Sequence, residues 1–288
     1  MSQSLFQSRL ATKRAIDARA LPSPRTASAR TQQQELQAKF AELQKDYVEL
    51  HSAIFEAAQV HRRLCAPRLL RYGDVEIASE IFAVRHLPGD FFTVRQAKDS
   101  VILALGDICG KGLAAGMWTT HLVGLVSRHS AAVTDPDSIV AGVNRDLCRI
   151  GSAVALASLF LAKLDPISGR LDYCSAGHPP ALLLRADGEL ESLSKGGLLL
   201  GVTPAAAYVS GTVKLHSGDS LLVYSDGIVE SRDNEGNEFG YERLERELRC
   251  AHNGSADAIL FSVLGAVQDF AAIRPLSDDM TLAIVRRD

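Results

Sequence analysis

A chain of 288 residues, 47% of them hydrophobic, is long enough for one large domain, or one domain with an appendage, around a sizeable buried core. A formal charge of -3 leaves no overall field to draw nucleic acid or an anionic membrane surface. Five scattered cysteines without a CxxC pair argue against a disulfide framework or a structural zinc site, and no apolar run reaches the roughly 20 residues of a bilayer span.

The start of the chain lacks a signal-peptide core, so a cytoplasmic, reducing setting is expected. Arg9, Lys13, Arg14, Arg19, Arg25 and Arg30 face a single early acid, Asp17, with Pro22 and Pro24 among Ser, Thr and Ala. This predicts a solvated, disordered tail over 1–31, with a basic partner-binding arm as the rival and a transit-peptide reading as a third. From Gln32 to Leu64 Gly and Pro are absent. Leu36, Phe40, Leu43, Tyr47, Leu50, Ile54, Ala57 and Leu64 recur in alternating steps of 4 and 3, then 7, and His61 breaks the seam. Heptad spacing predicts a helical arm over 32–64 that pairs as a dimeric coiled coil; packing on its own domain is the alternative.

The pattern changes in the domain expected over 65–288. Val75 to Val94 reads as extended segments interrupted at His86-Leu87-Pro88-Gly89-Asp90, and Ser100 to Leu105 as a strand covered on both faces. After GDICGKG come helices over Leu113–Ser130 and Asp135–Ile150, the second with Asp137 or Ser138 as its cap. Strands follow at Ala155–Leu164 and Leu171–Ser175, a hairpin at Ala181–Arg185 and Leu190–Leu193, and a buried strand at Ser220–Tyr224. Helices at about 241–250 and 255–272 precede a last strand, Met280–Arg286. Hairpins outnumber crossover helices, which favours packed antiparallel sheets covered by helices over a doubly wound parallel sheet.

Asp90, Asp107, Asp226 and the pair Asp278-Asp279 each lie where a core strand meets a turn. One such Asp is an ordinary turn former or cap. Several brought together at a core edge repel one another and resist desolvation, and cations relieve both penalties. Oxygen ligands without clustered His or Cys point to magnesium or manganese rather than zinc. A pair of such ions about 3.5–4 Å apart activates a shared water and neutralises a phosphate in the transition state.

The ordered set HLPGDFF, GDICGKGLAAGM, SAGHPPALLL, GGLLLGV, GDSLLVYSDGIVES and SDDMTLAIVRR resembles the SpoIIE-like, RsbU-like branch of the metal-dependent (PPM, protein phosphatase 2C-type) serine/threonine phosphatases. The resemblance covers residues 65–288. It implies an α+β fold, a four-layer α-β-β-α sandwich behind a long N-terminal helix. It implies hydrolysis of phosphoserine or phosphothreonine on a regulatory protein, a STAS-type anti-sigma-factor antagonist, with two Mn²⁺ or Mg²⁺ ions per site. Asp90, Asp107, Asp226 and Asp278 match the metal-binding carboxylates, Ile108 contributes its carbonyl, and Asp279 matches a position of outer or water-binding character. Partners implied are the phosphoprotein, an upstream regulator acting through the arm, and a second copy of the chain. The bacterial context of the family argues against the transit-peptide reading.

Some matches stay open. Lys111 is a phosphate contact or a solvated turn lysine, and His178 a structural hydrogen-bonder or a proton donor. The usual GGD is Pro88-Gly89-Asp90 here, a second Asp is replaced by Thr93, and Cys109, expected as a buried inert thiol, takes the place of a small residue. GDICGKG fails the P-loop spacing, and Asp233–Leu244 lacks the Gly and Glu of a calcium-binding hand. The remaining alternative is a phosphatase-fold scaffold with little or no turnover.

Overall fold

The computed structural model describes residues 24–65, 68–97, 99–132, 135–151, 156–272 and 274–288, with side chains from residue 32 onward. Most of the expected tail, 1–23, lies outside the described residues. The first helix, α1 (Pro24–Cys65), takes in the remainder. The chain divides into two compact units, Met1–Ser52 and Ala53–Asp288.

In the first unit the heptad residues Leu36, Phe40, Leu43, Tyr47 and Leu50 are all exposed. In the second the helix has a buried face. Ile54 and Ala58 are half-buried, and His61 and Cys65 are buried. These four share one side of a helix by their spacing. His61, which breaks the heptad seam, is thus a packing residue, and the seam continues through Ala58 and Cys65 in place of Ala57 and Leu64.

The rest of the second unit is a four-layer α-β-β-α sandwich. One sheet contains β1 (Leu69–Tyr72), β2 (Val75–Phe82), β7 (Ala181–Leu184), β8 (Leu190–Leu193), β11 (Ser220–Tyr224) and β12 (Met280–Arg287). Its order is β1-β2-β12-β11-β7-β8. The other runs β10-β6-β5-β4-β3, from β10 (Gly211–Lys214), β6 (Arg170–Ala176), β5 (Ala157–Leu164), β4 (Ser100–Ile108) and β3 (Phe91–Ala97). The two-residue β9 (Gly196–Gly197) adds in parallel to β6. All other pairings are antiparallel, as the hairpin-rich pattern predicts.

Three apolar cores fill the spaces between the layers. β4 serves two of them because successive side chains point to opposite faces. Val101, Leu103 and Leu105 enter the middle core with Phe92, Phe160, Val223 and Val285. Ile102, Ala104 and Ile108 meet α2 (Leu113–Ala132) and α3 (Pro136–Cys148). On the far side, α5 (Gly240–Cys250) and α6 (Ala256–Ala271) cover Leu222, Leu282 and Ile284. Helix α6 opens on Ser255, whose hydroxyl accepts from the Ala258 amide at 3.3 Å. Helix α3 corrects the expected cap: Asp135 stands at the N-cap and Pro136 opens the first turn. Proline's fixed φ suits that position, which leaves Asp137 and Ser138 inside the helix.

Phe160 is fully buried in the middle core and stacks on Tyr173 at 5.7 Å between centroids. Phe160→Ala is expected to lower unfolding stability by ~3–5 kcal/mol, the usual cost of emptying an aromatic site. Urea denaturation monitored by circular dichroism measures it.

Candidate metal centre

The register of β3 on β4 pairs Phe91 with Gly106, so Asp90 enters β3 beside the end of β4 that carries Asp107. The other sheet delivers Asp226 at the start of α4 (Asp226–Val229), immediately after β11. Asp278 and Asp279 come just before β12, the neighbour of β11. Close approach here depends on Gly227: a Cβ at that position would stand 2.0 Å from the Asp279 carbonyl.

The carboxylates are close enough to act on one another. Asp90 is 1% exposed, and burial followed by the charge of Asp107 raises its pKa well above the ordinary carboxylate value. The Ser225 and Thr281 hydroxyls work against that rise, and Thr281 Oγ1 donates to Asp90 Oδ2 at 2.6 Å. Asp107 is pushed up to about 7 by burial and then by Asp226, while a hydrogen bond from the Asp90 carboxyl pulls it down. Asp226 is raised by burial and by Asp278, and Lys111 partly offsets this. Stacked carboxyl groups with raised proton affinities hold an excess of negative charge that a cation would satisfy.

Asp278 and Asp279 are differently engaged. Asp278 Oδ2 lies 2.7 Å from Lys111 Nζ, and Asp278 Oδ1 accepts from the Asp279 amide at 2.9 Å. Asp279 accepts from the Val84 and Gly89 amides, both at 2.7 Å. Its two oxygens therefore clamp the turn leading into Asp90. Thr119 Oγ1 donates to the Gly89 carbonyl at 2.8 Å and fixes the same turn from α2.

Among the described residues, no three His, Cys, Asp or Glu side chains are already disposed to hold one ion. The donor chemistry nevertheless fits. Three oxygens surround the Cβ direction of Gly89: the Gly110 and Ile108 carbonyls at 3.2 Å and Asp107 Oδ1 at 3.3 Å. A side chain at Gly89 would press into this oxygen cradle, and oxygen-only sets suit Mg²⁺ or Mn²⁺. Asp90, Asp107, Asp226, Asp278 and the Ile108 carbonyl are the groups available to hold such ions, with Asp278 first having to leave Lys111.

Beside Asp107 and Asp226 opens a cavity of about 420 Å³, lined also by Ser158, Cys109, His178 and Leu199. Ser158 pairs with Asp107 across β4 and β5. His178 is buried and its pKa falls to about 3 through desolvation, so the ring is neutral at physiological pH. The Ser158 hydroxyl meets His178 Nδ1 at 2.8 Å. The Tyr224 backbone partly offsets the fall, and Nε2 is buried without a hydrogen-bond partner among the described residues. A ring without the second proton of an imidazolium agrees with the structural alternative for His178. Cys109 is exposed, not buried as expected, because the chain bends away from the sheet at the end of β4. Partial desolvation and then Asp107 raise its thiol pKa. Thr93 lies apart from this cavity, lining another with Leu64 and Val126. Sequence reading missed Ser158, Thr119, Ser225 and Thr281, which are small hydroxyl residues with no distinguishing pattern.

The profile of the Stage II sporulation protein E (SpoIIE) family matches residues 97–288. Phosphoserine phosphatase RsbU of Bacillus subtilis is 25% identical over 242 residues, covering 83% of this chain and 71% of that protein. The SiaA-PP2C domain of Pseudomonas aeruginosa superposes with a TM-score of 0.73 at 18% identity, covering 84% of this chain and 99% of that one. RsbX in complex with magnesium gives a TM-score of 0.60 at 16% identity, covering 77% and 99%.

Folding raises the proton affinity of Asp107 from an ordinary value of about 4 to about 7, so the folded state binds this proton more tightly than the unfolded chain. That contribution to stability is whole below about pH 4 and lost as pH rises through about 7. With a chelator present, the melting temperature is expected to fall between pH 5 and pH 8. Asp107→Asn should flatten the fall. Scanning calorimetry across that range gives the sign.

Proposed function

The chain belongs to the SpoIIE family of PPM-type phosphatases, and on that ground we propose that it is a metal-dependent phosphoprotein phosphatase acting on phosphoserine or phosphothreonine. The observation that carries the reading is the meeting of Asp90 and Asp107 from one sheet with Asp226 and Asp278 from the other, each within reach of its neighbours' charge. The name of RsbU, a phosphoserine phosphatase, and the magnesium in the RsbX complex support it. The resemblance to sigma-factor regulators points to a STAS-type antagonist as the substrate.

Two divalent ions, Mn²⁺ or Mg²⁺, would supply an activated water and neutralise the phosphate oxygens. The protein's own part is positioning. Asp90 and Asp107 hold ligand oxygens in a partly desolvated corner, where charge acts more strongly than in bulk water. Asp279 and Thr119 fix the turn that carries Asp90. Ser158, with its hydroxyl directed to His178, forms a polar wall beside Asp107 without bringing a second titrating group.

With Mn²⁺ and a phosphorylated STAS-domain protein, Asp107→Asn is expected to reduce kcat/KM by on the order of 10³ or more, as loss of a group central to charge stabilisation does. Phosphate release read against the wild type is the measurement. A wild type that binds Mn²⁺ yet releases no phosphate would favour a phosphatase-fold signalling scaffold.

We assign 1–31 to a basic tail, 32–64 to a regulatory arm and 65–288 to the catalytic domain. The arm would form a homodimeric coiled coil through the seam from Leu36 to Leu50, which is exposed in its own unit. An upstream regulator would act through it on a cytoplasmic enzyme; among the described residues, no helix is long and apolar enough to cross a membrane. Removing residues 1–52 keeps the buried His61 and Cys65 in place and is expected to convert a dimer to a monomer and to change the rate. Light scattering and phosphate release read the two effects, and unchanged mass with unchanged rate would refute the arm's role.

A further inference from the structure

Lys111, in the turn after β4, is held by two contacts. Its Nζ lies 2.7 Å from Asp278 Oδ2 and donates to the Ser277 carbonyl at 2.7 Å. With Asp278 Oδ1 accepting from the Asp279 amide, both oxygens of this carboxylate are engaged. Lys111 also acts on Asp226, the next carboxylate in the cluster. A turn lysine simply dissolved in solvent would not join residues 166 positions apart.

We propose that Lys111 is an internal counter-ion of the metal centre, exchanged for a divalent cation at Asp278. This deepens the metal-dependent reading and rests on it. An ammonium is a compact, strongly hydrated charge on a flexible stem, well suited to leave for water when a stronger cation arrives. The pair is partly solvated, with side-chain exposures of 38% and 41%, so it is screened and readily broken. It sits on the outer side of the cluster, whereas Asp90 is sealed within. Lys111 would steady the carboxylates when no metal is bound and set a threshold concentration for metal entry. Gly110 and Gly112, at φ +134° and +83°, give the flanking backbone a conformation that other residues adopt with strain.

Calorimetric titration of the full chain with Mn²⁺ alone tests this in the wild type, Lys111→Met and Lys111→Arg. Lys111→Met is expected to bind about fivefold more tightly, equivalent to ~1 kcal/mol, the upper range for a partly exposed ion pair. Lys111→Arg, which keeps the charge, should stay near the wild type. In chelator, Lys111→Met should melt below the wild type, a readout independent of activity. Equal Mn²⁺ affinity in all three proteins overturns the exchange while leaving the phosphatase reading intact. Tighter binding in Met and Arg variants alike overturns it too, since charge would then not be the cause. A wild type that takes up no Mn²⁺ removes the metal reading itself, and the exchange with it.

Discussion

Repulsion among carboxylates that folding forces together is the constraint on which the rest of this structure turns. Asp90 is sealed from solvent, and Asp107 and Asp226 are substantially desolvated. Each raises the cost of ionising its neighbour. The backbone amides on Asp279, the hydroxyls of Thr281 and Ser225 on Asp90, and the ammonium of Lys111 are partial answers to that excess charge. None supplies two full positive charges at one point. Excess negative charge therefore remains, and the oxygen-rich cradle at Gly89 is of the kind that suits a hard divalent cation.

The scaffold tolerates this burden because its three apolar cores are extensive and continuous. β4 and β12 are each buried on both faces and emerge from the interior at the aspartates. Short links then suffice to present charged groups without long, floppy excursions. Gly227 permits a backbone approach that any side chain would obstruct, and Gly89 leaves room that a side chain would crowd.

Much of this was legible in the residue order. Short continuous apolar runs leading to Asp107 and Asp226 marked β4 and β11, and the paired segments Ala181–Arg185 and Leu190–Leu193 marked the hairpin of β7 and β8. The short elements β1, β9, β10 and α4 were not seen, because two to four residues carry too little periodicity. The positions of the aspartates could be named, and the family resemblance set Asp279 apart as an outer group, but what each one touches could not be read. Asp278 and Asp279 are neighbours of identical type, and only the fold sends one to Lys111 and the other to two amides. His61 was read as an interruption because heptad counting cannot anticipate that the last turns of the helix bury the face of Ala58, His61 and Cys65. His178 could be matched to a motif, but its protonation is set by enclosure, which sequence does not display.

The origin of the aspartates in two separate sheets has a mechanical corollary. Asp90 and Asp107 stand on one layer and Asp226 and Asp278 on the other, with Phe92, Phe160 and Val223 packed between the sheets and the bonds of Thr281 to Asp90 and of the Gly89 amide to Asp279 crossing the seam. Slippage of the layers would alter the spacing across the cluster directly. Ligand geometry would thus gauge the alignment of the sandwich, and a disturbance applied far from the aspartates, at the outer end of either sheet, would be felt as a change in grip on the ion.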